Sequence, residues 1–272
     1  LLYTWPSRWH VYKGFIRDDQ GRAVIMRGIN LAGSHKSKPY FGFHTQTDFT
    51  RVSQSWGMNS IRLLFSWAAV EPQKGTYDQA YLDKLAQRVS WAAKAGLLVV
   101  LDSHQDVYGE GFGGNGAPRW TCSEARYKAH TPVSPWFLNY TSPPVMACFD
   151  DLFSDATLGQ QYAAMWGQVA NKLKGYSNIV GFDVINEPHW GSHNVFTFEK
   201  ERLQPFYDRV VKAVRAQTAG WIAFLEPANS RNMGLKTSLA PFAYADTVYA
   251  PHSYDTLAEQ GNGFNITRRT AM

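Results

Sequence analysis

The chain has 272 residues, 44% hydrophobic content and a net charge of +5, which is enough apolar material for one large core. Its basic residues are dispersed, which argues against nucleic-acid binding. No apolar run reaches the roughly 18 residues that cross a bilayer. No repeat or linker divides the sequence, so residues 1–272 are predicted to form one domain.

Short apolar runs alternate with amphipathic segments along the chain. The apolar runs span residues 23–30, 59–67, 97–104, 178–186, 220–227 and 247–255. Amphipathic segments at 48–57, 77–96, 158–175 and 199–218 fall between them, and in the first of these Phe49, Val52 and Trp56 share one helical face. Apolar strands alternating with helices indicate a parallel sheet, either doubly wound or closed as a (β/α) barrel.

Polar residues at the ends of the apolar runs favour the barrel. They are Asn30, Arg62, His104, Asp106, Asn186, Glu187, Glu226, His252 and Tyr254. A (β/α)8 barrel builds its active site from such strand ends, whereas the turn at 27–40 lacks the glycine pattern of a doubly wound nucleotide-binding sheet. The predicted fold class is α/β, a (β/α)8 barrel of which this chain supplies about the first six β/α units.

Glu187 stands between Asn186 and Pro188 at the end of an apolar run. Because Pro188 disfavours helical dihedrals in the preceding residue, Glu187 is predicted to be extended and aimed into the site. Apolar surroundings would raise the pKa of its carboxyl group, which suits a general acid. Asn186 would hold a substrate hydroxyl. The alternative is that the tripeptide merely ends a strand in a turn.

Four short motifs carry a resemblance to a known family. In chain order "SIRLLFSW", "LDSHQD", "INEP" and "APHSY" resemble the retaining glycoside hydrolases of family five. The longer segments 30–40, 62–78 and 104–120 look like the endoglycoceramidases and related glycosphingolipid-cleaving enzymes of that family. The resemblance implies a retaining endo-β-glycosidase that hydrolyses the linkage between oligosaccharide and ceramide. A β-glucosidase or β-glucanase of the same clan is the alternative.

The resemblance assigns Glu187 as the acid/base that protonates the leaving oxygen and later deprotonates water. Arg62 would position carboxylates, and His104 with Asp106 would bind sugar hydroxyls. Taken singly, Arg62 is equally compatible with a structural ion pair and His104 with a core histidine. Lys36 is expected to reach a sugar hydroxyl.

Two further groups complete the predicted substrate-binding set. His252 and Tyr254 would orient the catalytic nucleophile, although Tyr254 alone is also compatible with a packing role. Trp136, and with less support Trp120, would stack on sugar or aglycone, although a loop tryptophan often only fixes its loop. No cofactor and no metal ion is expected.

The catalytic nucleophile has no counterpart in the sequence. Retaining hydrolysis needs a second carboxylate about 5 to 5.5 Å from the acid, and the family places that glutamate after the seventh strand. Glu226 lies at the end of the fifth run and does not match that position. The domain is therefore expected to be incomplete at its C-terminus, with further polypeptide completing the barrel. The alternative is a catalytically dead glycan-binding remnant.

Cysteines and sequons favour an exported protein. Cys122 and Cys148 form one disulfide or remain two free thiols. Asn139 and Asn265 each begin an Asn-X-Thr sequon. The first residues lack the pattern of a signal peptide, and secretion is nevertheless predicted. If ceramide is the aglycone, the protein is expected to contact membranes only peripherally.

Overall fold

An antiparallel hairpin, which the sequence patterns do not predict, precedes the main sheet. The computed structural model describes residues 5–6, 8–31 and 34–254, together with 257, 261, 263, 265 and 267. Strands β1 (His10–Tyr12) and β2 (Phe15–Arg17) pair through a two-residue turn. Lys13 and Gly14 occupy the turn with φ angles of 49° and 75°, and such positive φ angles suit a tight hairpin.

Six parallel strands form the main sheet, and they neighbour one another in the order of the chain. They are β3 (Gly28–Leu31), β4 (Ser60–Phe65), β5 (Leu98–Ser103), β6 (Ile179–Asp183), β7 (Ile222–Leu225) and β8 (Thr247–Tyr249). The predicted parallel sheet is confirmed, although its first strand begins at Gly28 instead of at residue 23. All six carboxyl ends lie at one edge, which we call the carboxyl edge.

α-Helices lie between successive strands from β3 to β7. They are α1 (Gln46–Gln54), α2 (Trp67–Val70), α3 (Gln79–Lys94), α4 (Glu124–Ala129), α5 (Pro143–Ser154), α6 (Ala156–Leu173) and α7 (Gln204–Arg215). Phe49 and Val52 are buried, but Trp56 is 56% exposed, because α1 ends at Gln54 and the chain then turns at Gly57. The shared face predicted for Trp56 is therefore wrong. In the described part of the chain, the helices are too short or too polar to cross a bilayer.

Apolar residues cover both faces of the central strands. Leu63, Leu101 and Phe182 belong to the core shared with the helices. Val100 and Val180 belong to a second cluster with Trp9, whose Nε1 donates to the Ser177 carbonyl at 3.0 Å. Burial on both faces explains why the strands read as near-continuous apolar runs.

A disulfide fastens the long connection between β5 and α6. Cys122, just before α4, is bonded to Cys148 in α5. The choice left open by the sequence is therefore settled in favour of one disulfide. The bond closes a loop of 26 residues, which restricts the unfolded chain and so favours the folded connection.

Within this connection, residues 133–138 form an exposed apolar loop, the 133–138 loop. Val133, Trp136, Phe137 and Leu138 are between 42% and 56% exposed. The buried Asn139 side chain fixes the loop, since its Oδ1 accepts from the Val133 amide at 2.9 Å. Its Nδ2 donates to the carbonyls of Val133 at 3.0 Å and Trp136 at 2.6 Å. The apolar side chains are therefore presented by a pinned backbone.

Candidate active site

Predicted polar residues from different strands gather at the carboxyl edge. Arg62 lies in β4, and Asn186 and Glu187 follow β6. Glu226 directly follows β7, and His252 follows β8. Hydrogen bonds and ion pairs connect all five of them. The parallel sheet thus brings together residues that are almost 200 positions apart in the chain.

Arg62 is the centre of a buried ion-pair cluster. Its Nη2 lies 3.0 Å from Asp102 Oδ1 and 2.8 Å from Asp183 Oδ2. The same nitrogen lies 2.8 Å from Glu226 Oε1 and 3.1 Å from Asn186 Oδ1. Burial alone would lower the pKa of Arg62, but the three carboxylates outweigh burial and raise it. Arg62 therefore pairs carboxylates of the protein itself, and its role in substrate binding stays a prediction.

Asp102 and Asp183 are residues of this cluster that the sequence reading missed. Both are buried within strands, at 0% and 3% exposure, and in the sequence each lies inside an apolar run. Burial and the neighbouring Glu226 carboxylate raise the pKa of Asp183 well above its usual range, while Arg62 opposes this shift. A lone carboxylate inside a buried strand needs a cation or a proton, and that requirement is the signal that would have identified both residues.

Three donors converge on one oxygen of Glu187. Its Oε1 accepts from His252 Nδ1 at 2.7 Å, from Asn232 Nδ2 at 3.1 Å and from the Tyr254 hydroxyl. Asn232 was not singled out in the sequence. His252 and Tyr254, expected to orient the nucleophile, instead contact the predicted acid/base in the described part of the chain. The cluster holds the carboxylate in one orientation.

The backbone of Glu187 differs from the expectation. Its φ angle is +42°, so the residue is in the left-handed region and the predicted extended conformation is wrong. Pro188 disfavours the right-handed helical region of its predecessor but does not exclude the left-handed one. The Glu187 amide donates to Glu226 Oε2 at 2.7 Å. This hydrogen bond ties the unusual conformation to the Arg62 cluster.

The charge of the Glu187 carboxyl group also differs from the expectation. Burial raises its pKa, but hydrogen bonds from His252 and Tyr254 outweigh burial, and the net pKa is lowered. Burial lowers the pKa of His252, but hydrogen bonds to Glu187 and Glu226 raise it to about 10. The His252 ring is therefore a cation at neutral pH, held between two carboxylates. The expected rise in the Glu187 pKa is wrong, because the sequence did not show that His252 and Tyr254 donate to this carboxylate.

A second charged cluster joins Lys36, His104 and Asp106. Lys36 Nζ donates to Asp106 Oδ2 at 2.7 Å, and Asn115 donates to the same oxygen at 2.8 Å. His104 Nδ1 lies 2.7 Å from Asp102 Oδ2, and its Nε2 lies 3.4 Å from Asp106 Oδ2. Burial would raise the pKa of Asp106, but His104 and Lys36 hold it well below its usual range. Asp106 is therefore a fixed anion.

Gln105, another residue that the sequence reading missed, fixes the Asn186–Glu187 peptide. Its Nε2 donates to the carbonyls of Asn186 at 2.8 Å and Glu187 at 3.1 Å. Asn186 in turn donates from Nδ2 to the Gln105 carbonyl at 3.1 Å. Among the described residues, the second hydrogen of that Nδ2 has no acceptor, so it remains available for the predicted substrate hydroxyl.

The two predicted tryptophans lie outside these clusters. Trp136 is 56% exposed and has Phe137 and Tyr140 as ring neighbours. Trp120 packs edge-on against Trp67 and donates to the Glu71 carbonyl at 3.1 Å. Trp120 therefore fixes its loop. The structure does not bring Trp136 into contact with Glu187, and its substrate-binding role stays a prediction.

One trio of described residues has the composition of a metal site. Ligand atoms of Asp183, Glu226 and His252 lie within 4.8 Å of one another. Arg62 already donates to both carboxylates, and the raised pKa of His252 favours a proton on its ring. A metal ion here would have to displace this buried guanidinium. The donor set therefore fits the ion-pair cluster better than a metal ion.

Comparison with models of known protein families identifies the family of this chain. The model named Cellulase (glycosyl hydrolase family 5) matches residues 17–272, which is most of the chain. The chain belongs to glycosyl hydrolase family 5. The resemblance seen in the motifs is thereby confirmed. Family 5 proteins are (β/α)8 barrels, and the six-stranded sheet corresponds to part of one.

Relatives of this family 5 chain include endoglycoceramidases. Endoglycoceramidase I of Rhodococcus hoagii (strain 103S) is 31% identical over 253 residues, which cover 87% of this chain and 51% of that protein. The endoglycoceramidase of Hydra vulgaris is 27% identical over 239 residues, which cover 73% of this chain and 45% of that protein. The chain spans about half the length of the curated relatives it matches.

Solved family 5 structures are similar over most of the chain. Endo-glycoceramidase II from Rhodococcus sp., solved as a ganglioside GM3 complex, has a TM-score of 0.85 and 35% identity, covering 94% of this chain and 62% of that chain. Its lactosyl-enzyme intermediate has a TM-score of 0.83 and 33% identity, covering 90% and 61%. The predicted fold class is therefore confirmed.

Replacing Arg62 tests the ion-pair cluster in this family 5 protein. In Arg62→Met, the carboxylates of Asp102, Asp183 and Glu226 lose their buried cation, and the free energy of unfolding at pH 7 should fall by about 3 to 5 kcal/mol. Without the guanidinium, nothing opposes the rise that burial and the Glu226 carboxylate give the pKa of Asp183, so its folded-state pKa lies further above its unfolded value. Part of the loss should therefore be recovered as the pH falls from 7 to 5. Denaturant unfolding at both pH values measures this.

Arg51→Met is the matched control, because Arg51 forms an exposed ion pair with Asp48 on α1. Its effect should stay within about 0.5 kcal/mol. Equal losses for Arg62→Met and Arg51→Met would show that the buried cluster contributes no special stability.

Proposed function

We propose that the protein is a retaining endo-β-glycosidase that hydrolyses the bond between oligosaccharide and ceramide in glycosphingolipids. The observation that carries the proposal is Glu187, a carboxylate held by three donors at the carboxyl edge of a family 5 barrel. Support for the substrate comes from the relatives, since the similar proteins include endoglycoceramidases and one of them was solved with ganglioside GM3.

In the first step, a nucleophilic carboxylate attacks the anomeric carbon while Glu187 donates its proton to the ceramide oxygen. The carbon–oxygen bond to ceramide breaks, and a glycosyl–enzyme ester forms. In the second step, Glu187 removes a proton from water as the water oxygen attacks the same carbon. The ester bond breaks, and the glycan leaves with the nucleophile restored. Asp106 and Asn186 would hold sugar hydroxyls during both steps.

The nucleophile loses its negative charge when it is esterified, and this change would shift the pKa of Glu187 to suit first an acid and then a base. An anionic nucleophile near Glu187 adds like-charge repulsion and raises the pKa of Glu187, which favours the protonated acid. Once the nucleophile is esterified, that charge is gone. The donors on Oε1 then lower the pKa of Glu187 again, which favours the carboxylate needed to accept the water proton.

We propose that additional polypeptide supplies the nucleophile and completes the barrel. Within the described residues, β3 pairs only with β4, and β8 pairs only with β7. Both outer strands thus have an edge available for further pairing. The greater length of the curated relatives supports the same proposal.

We propose that the 133–138 loop contacts the lipid surface. Its exposed apolar residues follow β5 at the carboxyl edge, on the same side of the barrel as Glu187. Phe43 and Phe196, which are 79% and 68% exposed, follow β3 and β6 at this edge. Exposed apolar side chains on a pinned loop suit a lipid- or protein-binding surface, and aromatic rings suit the membrane interface.

We also propose that the protein is secreted. The Cys122–Cys148 disulfide supports this, because such bonds persist mainly in oxidising compartments. Recovery of the native protein from the cytosol with both thiols reduced would contradict secretion.

Product analysis of the full-length protein tests the proposed activity. Incubation with ganglioside GM3 should release intact oligosaccharide and ceramide, resolved by thin-layer chromatography and mass spectrometry. Glu187→Gln should lower kcat/KM on this substrate by about 10²-fold or more, because the ceramide oxygen leaves poorly without a proton. Cleavage of cellulosic oligomers but not of the ganglioside would overturn the substrate assignment in favour of a β-glucanase.

A 2-deoxy-2-fluoro glycoside provides the control for the retaining mechanism. It should label one carboxylate, located by peptide mapping outside residues 1–272. If the protein binds the glycan but neither hydrolyses it nor becomes labelled, it is a glycan-binding protein that lacks the nucleophile.

Vesicle binding tests the lipid contact. Phe137→Ser with Leu138→Ser should weaken cosedimentation with phosphatidylcholine vesicles containing ganglioside by roughly tenfold or more, because apolar burial in the bilayer is lost. Trp56→Ser is the matched control, since Trp56 is 56% exposed but follows α1 at the opposite edge. Equal losses in both proteins would contradict a specific role of the 133–138 loop.

A further inference from the structure

Asn232 touches the carboxylate to which the acid/base role is proposed. Its Nδ2 lies 3.1 Å from Glu187 Oε1. The residue lies in a short 3-10 helix, Asn229–Met233, within the connection between β7 and β8. Among the described side chains of that connection, Asn232 is the one that donates to the Glu187 carboxylate, while Glu226 accepts from the Glu187 amide. The position of this β7–β8 connection decides whether the Asn232 amide can reach the Glu187 carboxylate.

One buried carboxylate, Glu199, clamps this connection on both sides of Asn232. Glu199 is 0% exposed, and its Oε1 accepts from the Ala228 amide at 3.0 Å and from Arg231 Nε at 2.8 Å. Its Oε2 accepts from Thr237 Oγ1 at 2.8 Å and from the Leu239 amide at 3.2 Å. Ser238 adds its hydroxyl at 3.2 Å and a short amide contact.

A buried charge such as Glu199 is an energetically unfavourable way to fix a loop. Desolvation makes a buried carboxylate unfavourable unless its partners are well placed, and apolar packing would fix the connection without that cost. Glu199 also opens a π-helical turn, Glu199–Leu203, ahead of α7, and such turns are frequent at functional sites. Arg231 links the same clamp to the Val195 carbonyl at 3.2 Å. The hydrogen bonds of Glu199 on both sides of Asn232 therefore fix the position of Asn232.

We propose that Asn232 is a positioning residue for Glu187 and that Glu199 holds Asn232 in place, so that the leaving oxygen receives its proton from Glu187 Oε2. This inference rests on the proposed acid/base role of Glu187. All three donors lie on Oε1, and an oxygen that accepts three hydrogen bonds is a poor site for a proton. Oε2 remains for proton transfer.

Two measurable effects follow from removing the Asn232 amide. Oε1 of Glu187 loses one donor that stabilises the charged carboxylate, so the pKa of Glu187 rises. The alkaline limb of kcat/KM therefore moves to higher pH. The carboxylate also gains freedom to turn, so substrates that depend on protonation suffer most. A leaving group that departs without a proton is affected little.

The experiment uses the full-length protein with two β-lactosides, one with a dinitrophenyl leaving group and one with an alkyl leaving group. Asn232→Ala should lower kcat/KM roughly tenfold on the alkyl lactoside and less than about threefold on the dinitrophenyl lactoside. Its alkaline limb should move up by about half a pH unit or more. Asn232→Asp, which keeps the shape and loses the donor, should show the same pattern more strongly.

Glu199→Gln should reproduce the Asn232→Ala pattern, because Asn232 then leaves its position. The matched controls are Glu201→Gln, at an exposed position of the same π-helical turn, and Asn171→Ala, at an exposed position of α6. Both controls should match the wild type on both substrates. Thermal unfolding checks that each variant is folded at the assay temperature. If Glu199→Gln is unfolded, Thr237→Val replaces it, since this change removes one donor to Glu199.

Equal losses on the two lactosides, with an unmoved alkaline limb, would overturn the proposal and assign a purely structural role to the clamp. Failure of the proposed function gives a different result. A wild-type protein that cleaves both lactosides but leaves ganglioside intact would refute glycosphingolipid hydrolysis, while the comparison of Asn232 variants would still decide the positioning role.

Discussion

A buried guanidinium group organises the carboxyl edge of this protein. Arg62 reaches from β4 to carboxylates in β5 and β6 and after β7, so one side chain fixes four neighbouring strands relative to one another. Its partner Glu226 in turn accepts from the Glu187 amide. The position of the proposed acid/base therefore depends on an ion pair that contacts it only through another residue. The buried charge costs desolvation, and in return it specifies one arrangement of the strand ends.

In both charged clusters, the anionic carboxylates are paired with cationic side chains. Arg62 pairs with Glu226, and His252 pairs with Glu226 and Glu187. Lys36 and His104 pair with Asp106. Dipoles and charges fixed in this way need little reorganisation when charge moves during a reaction. A sugar bound between the clusters would therefore meet groups whose charge and orientation are already set.

The sequence predicts the parts of this arrangement that depend on local patterns. Alternating apolar runs and helices predicted the parallel sheet, and polar strand ends predicted the convergence of Arg62, Glu187 and His252. It did not predict the left-handed backbone of Glu187, whose amide donates to the distant Glu226. It also did not predict the direction of the Glu187 pKa shift, which depends on donors from the segments that follow β7 and β8. Asp102 and Asp183 were hidden in apolar runs, and Asn232 has no local signal, since its contact depends on the fold of a connection clamped by Glu199. Roles in substrate binding stay predictions.

The pinned 133–138 loop has a consequence for covalent modification. Asn139 begins a sequon, yet both hydrogens of its Nδ2 are used, one by the Val133 carbonyl and one by the Trp136 carbonyl. Attachment of an N-linked glycan replaces one of those hydrogens and adds a bulky group at a buried position. A sugar chain at Asn139 and the closed loop therefore exclude each other. In a host that glycosylates exported proteins, the order of folding and glycan transfer would decide whether the apolar loop is formed.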